Sequence, residues 1–597
     1  MAISSEKTTT TGPVSSKKGG LRTLPFIIAN ETFEKVASYG LLANMILYLL
    51  GDYHFKLTTG ANILFLWNAL SNFTPIIGAF LSDSVLGRFR VISIGTVTSL
   101  LGILVLLLTA VIRKARPPHC DLMPVEKCEP AKLGQRLLLY SSFALMSIGA
   151  GGIRPCSMAF GADQIDKPEN RENERTLQTF FSWYYASTGI SIMIAVTVIV
   201  YIQDKVGWAQ GFGVSLGLMA FSTLMFFSGT SLYVKVKGNK NLFCGFAHVV
   251  SAAWKNRHLS LPPQNNFDGW YYHKGSKLVT PTDKLRFLNK ACIIKNPSKD
   301  LNPEGIAKDP WSLSTVRQVE ELKALLKVLP IWSTGIYIAA SVSQQSFWIN
   351  QATHMNTELF TRHFHIPAGS FSVFTLLSLT IWVALYDRLI IPLLSKRNRK
   401  RRGDQPQLRP GFTFKQRMAI GLAISCLATS VAAVVEKKRR KHALINGETM
   451  SAMWLVPQYS LVGLAEAFNA IGQIEFFYSQ FPKSMASIAV ALFTLGMGFG
   501  NLVGALILKI VDDGTKNYNG GNMSWLPDNP NQGRYDYYYW LLTLLGLVNL
   551  LYYFFVSWAY GSCEERKIWD EEEEEATEKV LKEEDLSKSK ESAVFAA

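Results

Sequence analysis

Few ionisable side chains interrupt the long apolar runs of this chain, and three of them stand together in the string ETFEK: Glu31, Glu34 and Lys35. Spaced i, i+3 and i+4, they share one face of a helix, so two carboxylates and an ammonium occupy one small volume. Two like charges in a partly desolvated site push at least one carboxylate toward its protonated form, while the lysine holds the other ionised. Such a cluster gains and loses a proton near physiological pH, which is the chemistry of a proton-coupled carrier. The bland alternative is a charged cap at a helix entrance whose side chains snorkel to water.

Arg154, in GAGGIRPC, is the second candidate, because it follows a run of small residues that lets helices pack closely and precedes Pro155. Glu466, in LVGLAEAF, is the acid well inside a later apolar run. An Arg154–Glu466 bridge would tie the two halves of the chain, and competition for it by substrate or proton would permit rocking between outward-open and inward-open states. Asp83, Gly87 and Arg88, in Gly78-x4-Asp83-x3-Gly87-Arg88, close one apolar run in a pattern that resembles the loop motif of the major facilitator superfamily. Its expected role is gating, with Tyr386-Asp387-Arg388 as a counterpart in the second half.

The elements that must position these groups are spanning helices. Of 597 residues, 48% are hydrophobic and only 18% charged, more apolar than a soluble core of this size requires. The apolar residues form runs of membrane-crossing length, about 20 residues each, and backbone satisfaction in lipid makes them helices. Six fall near 36–51, 60–82, 91–112, 137–158, 180–201 and 211–233; six more near 324–345, 369–394, 416–435, 452–474, 485–509 and 536–559. The expectation is an all-α membrane protein of twelve transmembrane helices, two six-helix bundles of the major facilitator fold.

The segments then read as an N-tail over 1–28, a first bundle over 29–234, a linker over 235–321, a second bundle over 322–562 and an acidic tail over 563–597. The linker reads as a connection and not a domain, with an amphipathic piece from Phe243 to Trp254 suited to lying along the membrane surface. Basic loops, above all Lys396–Arg402, place the linker and both termini in the cytoplasm. The run Lys437–Lys441 falls on the outer side and opposes that assignment unless it lifts the ninth helix clear of the bilayer. The net charge of +16 is distributed among loops and forms no basic surface for nucleic acid.

Cys120 and Cys128 share one outer hydrophilic loop where a disulfide is permitted. Asn522-Met-Ser524 is an acceptor pattern for N-glycosylation. No metal-ligand spacing appears, and the helices hold no nucleophile or histidine constellation, so the chain does not read as an enzyme. The expected partners are a small-molecule substrate, protons as the coupling ion, and membrane lipid, with no other cofactor.

Taken together, the motifs resemble the plant nitrate and peptide transporter family, the plant branch of the proton-coupled oligopeptide transporters. Glu31-x-x-Glu34-Lys35 is similar to that family's helix-one acidic motif; GGIRPCSMAFGADQ and FFYSQFPKSM are similar to its helix-four and helix-ten signatures. The resemblance implies the twelve-helix fold, a lateral helix in the linker, and proton-driven import, with Arg154 and Glu466 matching the basic and acidic pair proposed to govern alternating access. Two departures stand out. Gly189 and Ser191 occupy positions where the helix-five signature commonly has Asn and Gly, and Val342 stands where some nitrate carriers place a helix-seven histidine. Import of nitrate across the plasma membrane is the first expectation; a hormone, glucoside or di/tripeptide carrier, or a passive anion channel, are the alternatives.

Overall fold

A computed structural model describes residues 19–561, apart from 119, 121–127, 166–172, 236–241, 263–268, 273–279, 304, 360, 394–411, 483–484 and 517–523. The basic run Lys396–Arg402, Asn522 of the glycosylation pattern and the acidic run Asp570–Glu575 lie outside the described residues. The chain divides into two compact units, the first comprising Met1–Lys56, Leu70–Asn239 and Pro367–Val373, the second Leu57–Ala69, Lys240–Ile366 and Phe374–Ala597.

The helices of the first half are α1 (Leu24–Gly51), α2 (Leu57–Leu81), α3 (Arg88–Val111), α4 (Leu133–Ile153), α5 (Ser157–Ile165), α6 (Asn173–Ile194), α7 (Val200–Lys205) and α8 (Trp208–Ser228). Arg154 and Pro155 break the helical line between α4 and α5, and a π turn, Ala195–Ile199, joins α6 to α7. Helix one starts well before the run read near 36–51: α1 opens at Leu24 with Pro25 in its first turn, where a missing N–H costs nothing. Polar residues over 30–35 broke the hydropathy signal, so the acidic motif lies inside the helix and not at its entrance.

Close backbone approach explains the glycines near Arg154. A Cβ on Gly78 of α2 would lie 1.9 Å from the Gly151 carbonyl oxygen of α4, and one on Gly95 of α3 would lie 2.8 Å from that of Gly149. Serine and threonine bonds close the same contact, with Ser71 Oγ 2.9 Å from Ser147 Oγ and Thr74 Oγ1 donating to the Ser147 carbonyl at 2.7 Å. In lipid, such packing and bonding hold helices together, because burial of apolar side chains gives little.

The second half contributes α9 (Leu242–Lys255), the short α10 (Arg286–Asn289) and α11 (Pro297–Asp300), then α12 (Val316–Ser343), α13 (Gln345–Thr353), α14 (Val373–Leu385), α15 (Phe414–Lys441), α16 (Val456–Gln480), α17 (Ala486–Thr515) and α18 (Tyr535–Tyr560). Glu358–Leu359 and Thr361–His365 pair as a short antiparallel hairpin, a small exception to the all-α expectation. Among the described residues, ten helical segments are long and apolar enough to cross a membrane. The polar residues of α1 and α16 keep them off that count, and with these two the described residues hold the twelve long helices expected from the sequence.

The linker has more structure than its sequence announces. Val249, Ala252 and Ala253 of α9 pack with Trp270, Leu288, Cys292 and Ile293 onto Val316, Val319 and Leu322 at the start of α12, forming a core of their own. Asn256, fully buried, donates to the carbonyls of Lys290 at 3.0 Å and Ser312 at 3.1 Å and staples three stretches together. These apolar residues are dispersed over some seventy positions, so no run betrays them before the chain folds.

Candidate functional site

Glu31 and Glu34 lie seven and ten residues into α1, and both are buried, at 2% and 0% exposure. Lys35 Nζ stands 3.3 Å from Glu31 Oε1 and 3.9 Å from Glu34 Oε2. Ser38 donates to Glu34 Oε1 at 2.7 Å, one turn further along. The second oxygens, Glu31 Oε2 and Glu34 Oε2, have no hydrogen-bond partner. Within α1 itself, one ammonium and one hydroxyl therefore serve the two carboxylates.

Arg154 enters the same site from the C-terminal end of α4, where Pro155 forbids another turn. Its guanidinium lies over the Tyr39 ring at 6.0 Å, and Lys35 Nζ over the same ring at 5.8 Å. Tyr39 thus holds two cations near each other, each on the negative face of the ring. Arg154 Nε is buried with no hydrogen-bond partner, and among the described residues no carboxylate of the first unit pairs with it. The phenol of Tyr184, from α6, faces Glu31 and Glu34 from the other side. Neither tyrosine stood out in the sequence; Tyr39 lies one turn beyond Lys35, and that spacing was the available signal.

The loop motif is assembled in the same unit. A π turn, Ser82–Leu86, ends α2, and Gly87 adopts φ 76°, a conformation that favours glycine, before α3 begins. Arg88 Nη1 donates to Asp163 at the end of α5 at 2.6 Å, and Arg88 Nε lies 3.6 Å from Asp83. The arginine spans two carboxylates and ties the α2–α3 connection to α5. In the second unit a π turn, Tyr386–Ile390, ends α14 at the matching place, and Arg417 lies over the Tyr386 ring at 5.0 Å.

Glu466 sits midway along α16, half-buried, with no ion-pair partner among the described residues of the second unit. The helix also holds a second acid, beyond the run read near 452–474. α16 continues to Gln480, so Glu475 lies within it and accepts from Arg417 Nη1 at 2.7 Å. A second pair that sequence reading passed over is Glu436 with Arg439 near the end of α15, both fully buried. The basic run Lys437–Lys441, expected on the outer side as an extension lifting the ninth helix clear of the bilayer, turns one of its members, Arg439, into the bundle. The signal was there in the i, i+3 spacing of opposite charges. Cys120 and Cys128 are joined by a disulfide, with Cα atoms 5.9 Å apart. No group of three His, Cys, Asp or Glu residues is placed to hold a metal ion among the described residues.

Residues 89–526 match the profile of the POT family. The chain belongs to that family. Its similarity to curated POT relatives runs nearly end to end: it is 53% identical over 555 residues to the protein NRT1/PTR family 1.1 of Arabidopsis thaliana, covering 91% of this chain and 92% of the relative. Against NRT1/PTR family 1.2 of the same plant it is 51% identical over 558 residues, covering 91% and 90%. Among solved structures, an auto-inhibited POT family peptide transporter aligns with TM-score 0.66 at 20% identity, over 91% of this chain and 98% of that one. The POT family transporter PepTSo aligns with TM-score 0.65 at 17% identity, covering 90% and 98%. The POT assignment makes the chain a multi-pass membrane transporter, and the solved neighbours share its fold.

Proposed function

We propose that this chain is a proton-coupled symporter that imports a small solute by alternating access, with nitrate as the first substrate to test and the plasma membrane as its place. The observation that carries this reading is the buried cluster of α1: two carboxylates, each with an oxygen that accepts no hydrogen bond, sharing one lysine beside an arginine whose Nε donates none. Carrying a monovalent anion inward against an inside-negative potential costs about 2.3 kcal/mol per 100 mV, so more than one proton must accompany nitrate for the potential to help. Glu31 and Glu34 supply two carboxylates for that load.

In the proposed cycle the pair takes up protons, Lys35 loses its ion pairs, and the site, with its carboxylates neutralised, is left with the net positive charge of Lys35 and Arg154 about the Tyr39 ring. That charge favours an anion beside Arg154. Glu466 is proposed to answer Arg154 from the second unit, taking the guanidinium as partner when substrate leaves. Arg88 with Asp83 and Asp163 holds the α2–α3 loop, whose release accompanies the change of access. The unpartnered Arg154 Nε is what favours an anion over a neutral glucoside.

The test is current and labelled-nitrate uptake in a heterologous cell at acid and neutral external pH. Acid-stimulated nitrate current that disappears in Glu34→Gln at normal surface expression supports the reading. Flux that ignores the proton gradient would mean a channel. An expressed protein with no nitrate flux would retire nitrate and leave hormones, glucosides and small peptides as the next substrates.

A further inference from the structure

One end of the first unit, the end that the sequence places in the cytoplasm, closes around Gln164, the residue after Asp163 in α5. Gln164 is buried, and its side-chain amide and the backbone of Val234, beyond the end of α8, bond to each other twice. Val234 N–H donates to Gln164 Oε1 at 2.7 Å, and Gln164 Nε2 donates to the Val234 carbonyl at 3.0 Å. The chain ahead of α1 crosses the same place: Gly20 N–H donates to the Gln164 carbonyl at 2.6 Å, and Gly19 N–H to the Leu232 carbonyl at 2.8 Å. Gly19 and Gly20 have φ of 81° and 85°, and a Cβ on Gly19 would lie 2.9 Å from both the Gln164 carbonyl oxygen and Val234 Cγ2, so the crossing is built for glycine. Buried Thr23 then donates through its hydroxyl to the Gly20 carbonyl at 2.8 Å and turns the chain into α1.

Behind this crossing lies the loop motif. Arg88 donates to Asp163, one residue before Gln164. Lys235, one residue past Val234, lies over the Phe89 ring at 4.1 Å. Phe89 stacks on Phe226 at 5.6 Å and packs with Phe160 and Tyr233 in an apolar cluster that includes Cys156. Stretches 19–23, 88–89, 163–164 and 232–235 are thereby interlocked. The last four carbonyls of a helix have no donor within it, and α5 ends at Ile165, so the Gly20 N–H caps α5 from far away in sequence. Without that cap the final turn of α5 is free to fray, and Asp163 stands in that turn.

We propose that Gly19–Gly20 is a strap that caps α5 and thereby holds Asp163 on Arg88, so that a pull on the N-tail opens this latch. The proposal rests on the reading of Arg88 and Asp163 as a latch whose release accompanies the change of access, and is independent of the substrate. Residues 1–18 run directly into the strap. Tension or charge applied to them reaches the latch through two backbone hydrogen bonds.

The test reads the latch with no substrate present. The full chain in nanodiscs is treated with a water-soluble maleimide, and labelling of Cys156, 1% exposed within the cluster, is followed by peptide mapping. Cys426, buried in the second unit, is the reference. Gly19→Val and a chain lacking residues 2–20 are each expected to label Cys156 severalfold faster than the parent, as is Arg88→Gln. The deletion adds no side chain, so it carries the test if Gly19→Val misfolds. Combined with Arg88→Gln, the deletion should label no faster than Arg88→Gln alone, because the strap acts through the latch. Acceleration by Arg88→Gln and by neither strap variant overturns the proposal and leaves the latch standing. Additive acceleration in the combined variant overturns it too, since the strap would then only seal the surface, and so does Cys426 labelling in step with Cys156. Parental labelling in every variant overturns both the strap and the latch.

Discussion

The Glu436 carboxylate and the Arg439 guanidinium meet in two parallel hydrogen bonds, Oε1 with Nη2 and Oε2 with Nε, each 2.8 Å, at 0% and 1% exposure. The remaining arm of the arginine, Nη1, donates to Asn531 Oδ1 at 2.6 Å, fastening the end of α15 to the loop before α18. Removing one partner strands the other charge inside the bundle. Arg439→Ala is expected to cost about 3–5 kcal/mol, whereas replacing both residues with apolar ones of similar volume costs much less. Thermal unfolding of the detergent-purified single and double variants checks this; equal losses would mean that the pair contributes only packing.

Gly78 meets the Gly151 carbonyl so closely that a Cβ has nowhere to go. Both neighbours are backbone, so the helices must separate. Gly78→Val is expected to destabilise the first unit beyond the ~1–3 kcal/mol typical of overpacking. Gly134→Ala, at the open start of α4 with nothing within 4 Å, should behave as the parent chain. Size-exclusion profiles of the two fluorescently tagged variants distinguish them.

Glu34→Gln keeps the size of the side chain and removes its titration. Uptake driven by a pH gradient should fall by more than roughly tenfold, or ~1.4 kcal/mol of lost driving interaction. Exchange of labelled for unlabelled substrate at equal pH should survive, since exchange needs no net proton movement. Loss of both would place Glu34 in substrate binding or folding.

His354, just past the end of α13, is held below the ordinary imidazole range by burial, with the Arg439 charge adding to that and the Asn350 carbonyl opposing it. Its Nδ1 lies 3.0 Å from that carbonyl and 3.1 Å from Thr353 Oγ1. The folded chain therefore protonates this ring at lower pH than the unfolded chain does. Stability contributed by the neutral ring is complete above ~6.5 and declines as pH falls through the gap between the two values. Melting temperatures measured from about pH 7 down to about pH 5 should fall less steeply in His354→Gln than in the parent.

Cys292, in the linker core, has its thiol pushed up to about 12 by burial, with Lys323 opposing. It should resist maleimide in the native chain. Asn256→Ala leaves the Lys290 and Ser312 carbonyls without their donor, at a cost of about 1–3 kcal/mol. Peptide mapping should then find Cys292 labelled, while half-buried Cys244 serves as the internal reference.

The helical plan was legible because each span is a long apolar run, and the paired charges of α1 were legible because they interrupt one. What escaped was contact at a distance. Tyr39 and Tyr184 become part of the site only when α1, α4 and α6 pack, and a tyrosine in an apolar run carries no mark of the charge it will face. Helix ends were misplaced where charge entered the span: α1 opens at Leu24, with Glu31, Glu34 and Lys35 paired and buried, and α15 runs on to Lys441, with Glu436 and Arg439 paired inside while Lys437, Lys438 and Lys441 stay exposed. The linker core failed to show for the opposite reason, since its apolar residues are spread too thinly to form any pattern.

The bond from Arg439 to Asn531 crosses 92 positions of sequence. On a ribosome adding about 5–20 residues per second, that interval lasts roughly 5–20 s. During it the nascent α15 has its guanidinium paired with Glu436 but lacks its third ligand, and the following two spans are made before the asparagine appears. The second bundle is therefore completed out of order. Its ninth span must wait, incompletely liganded, for the approach of the twelfth, which makes this interval the point at which a chaperone or a quality-control protease would find the chain unfinished.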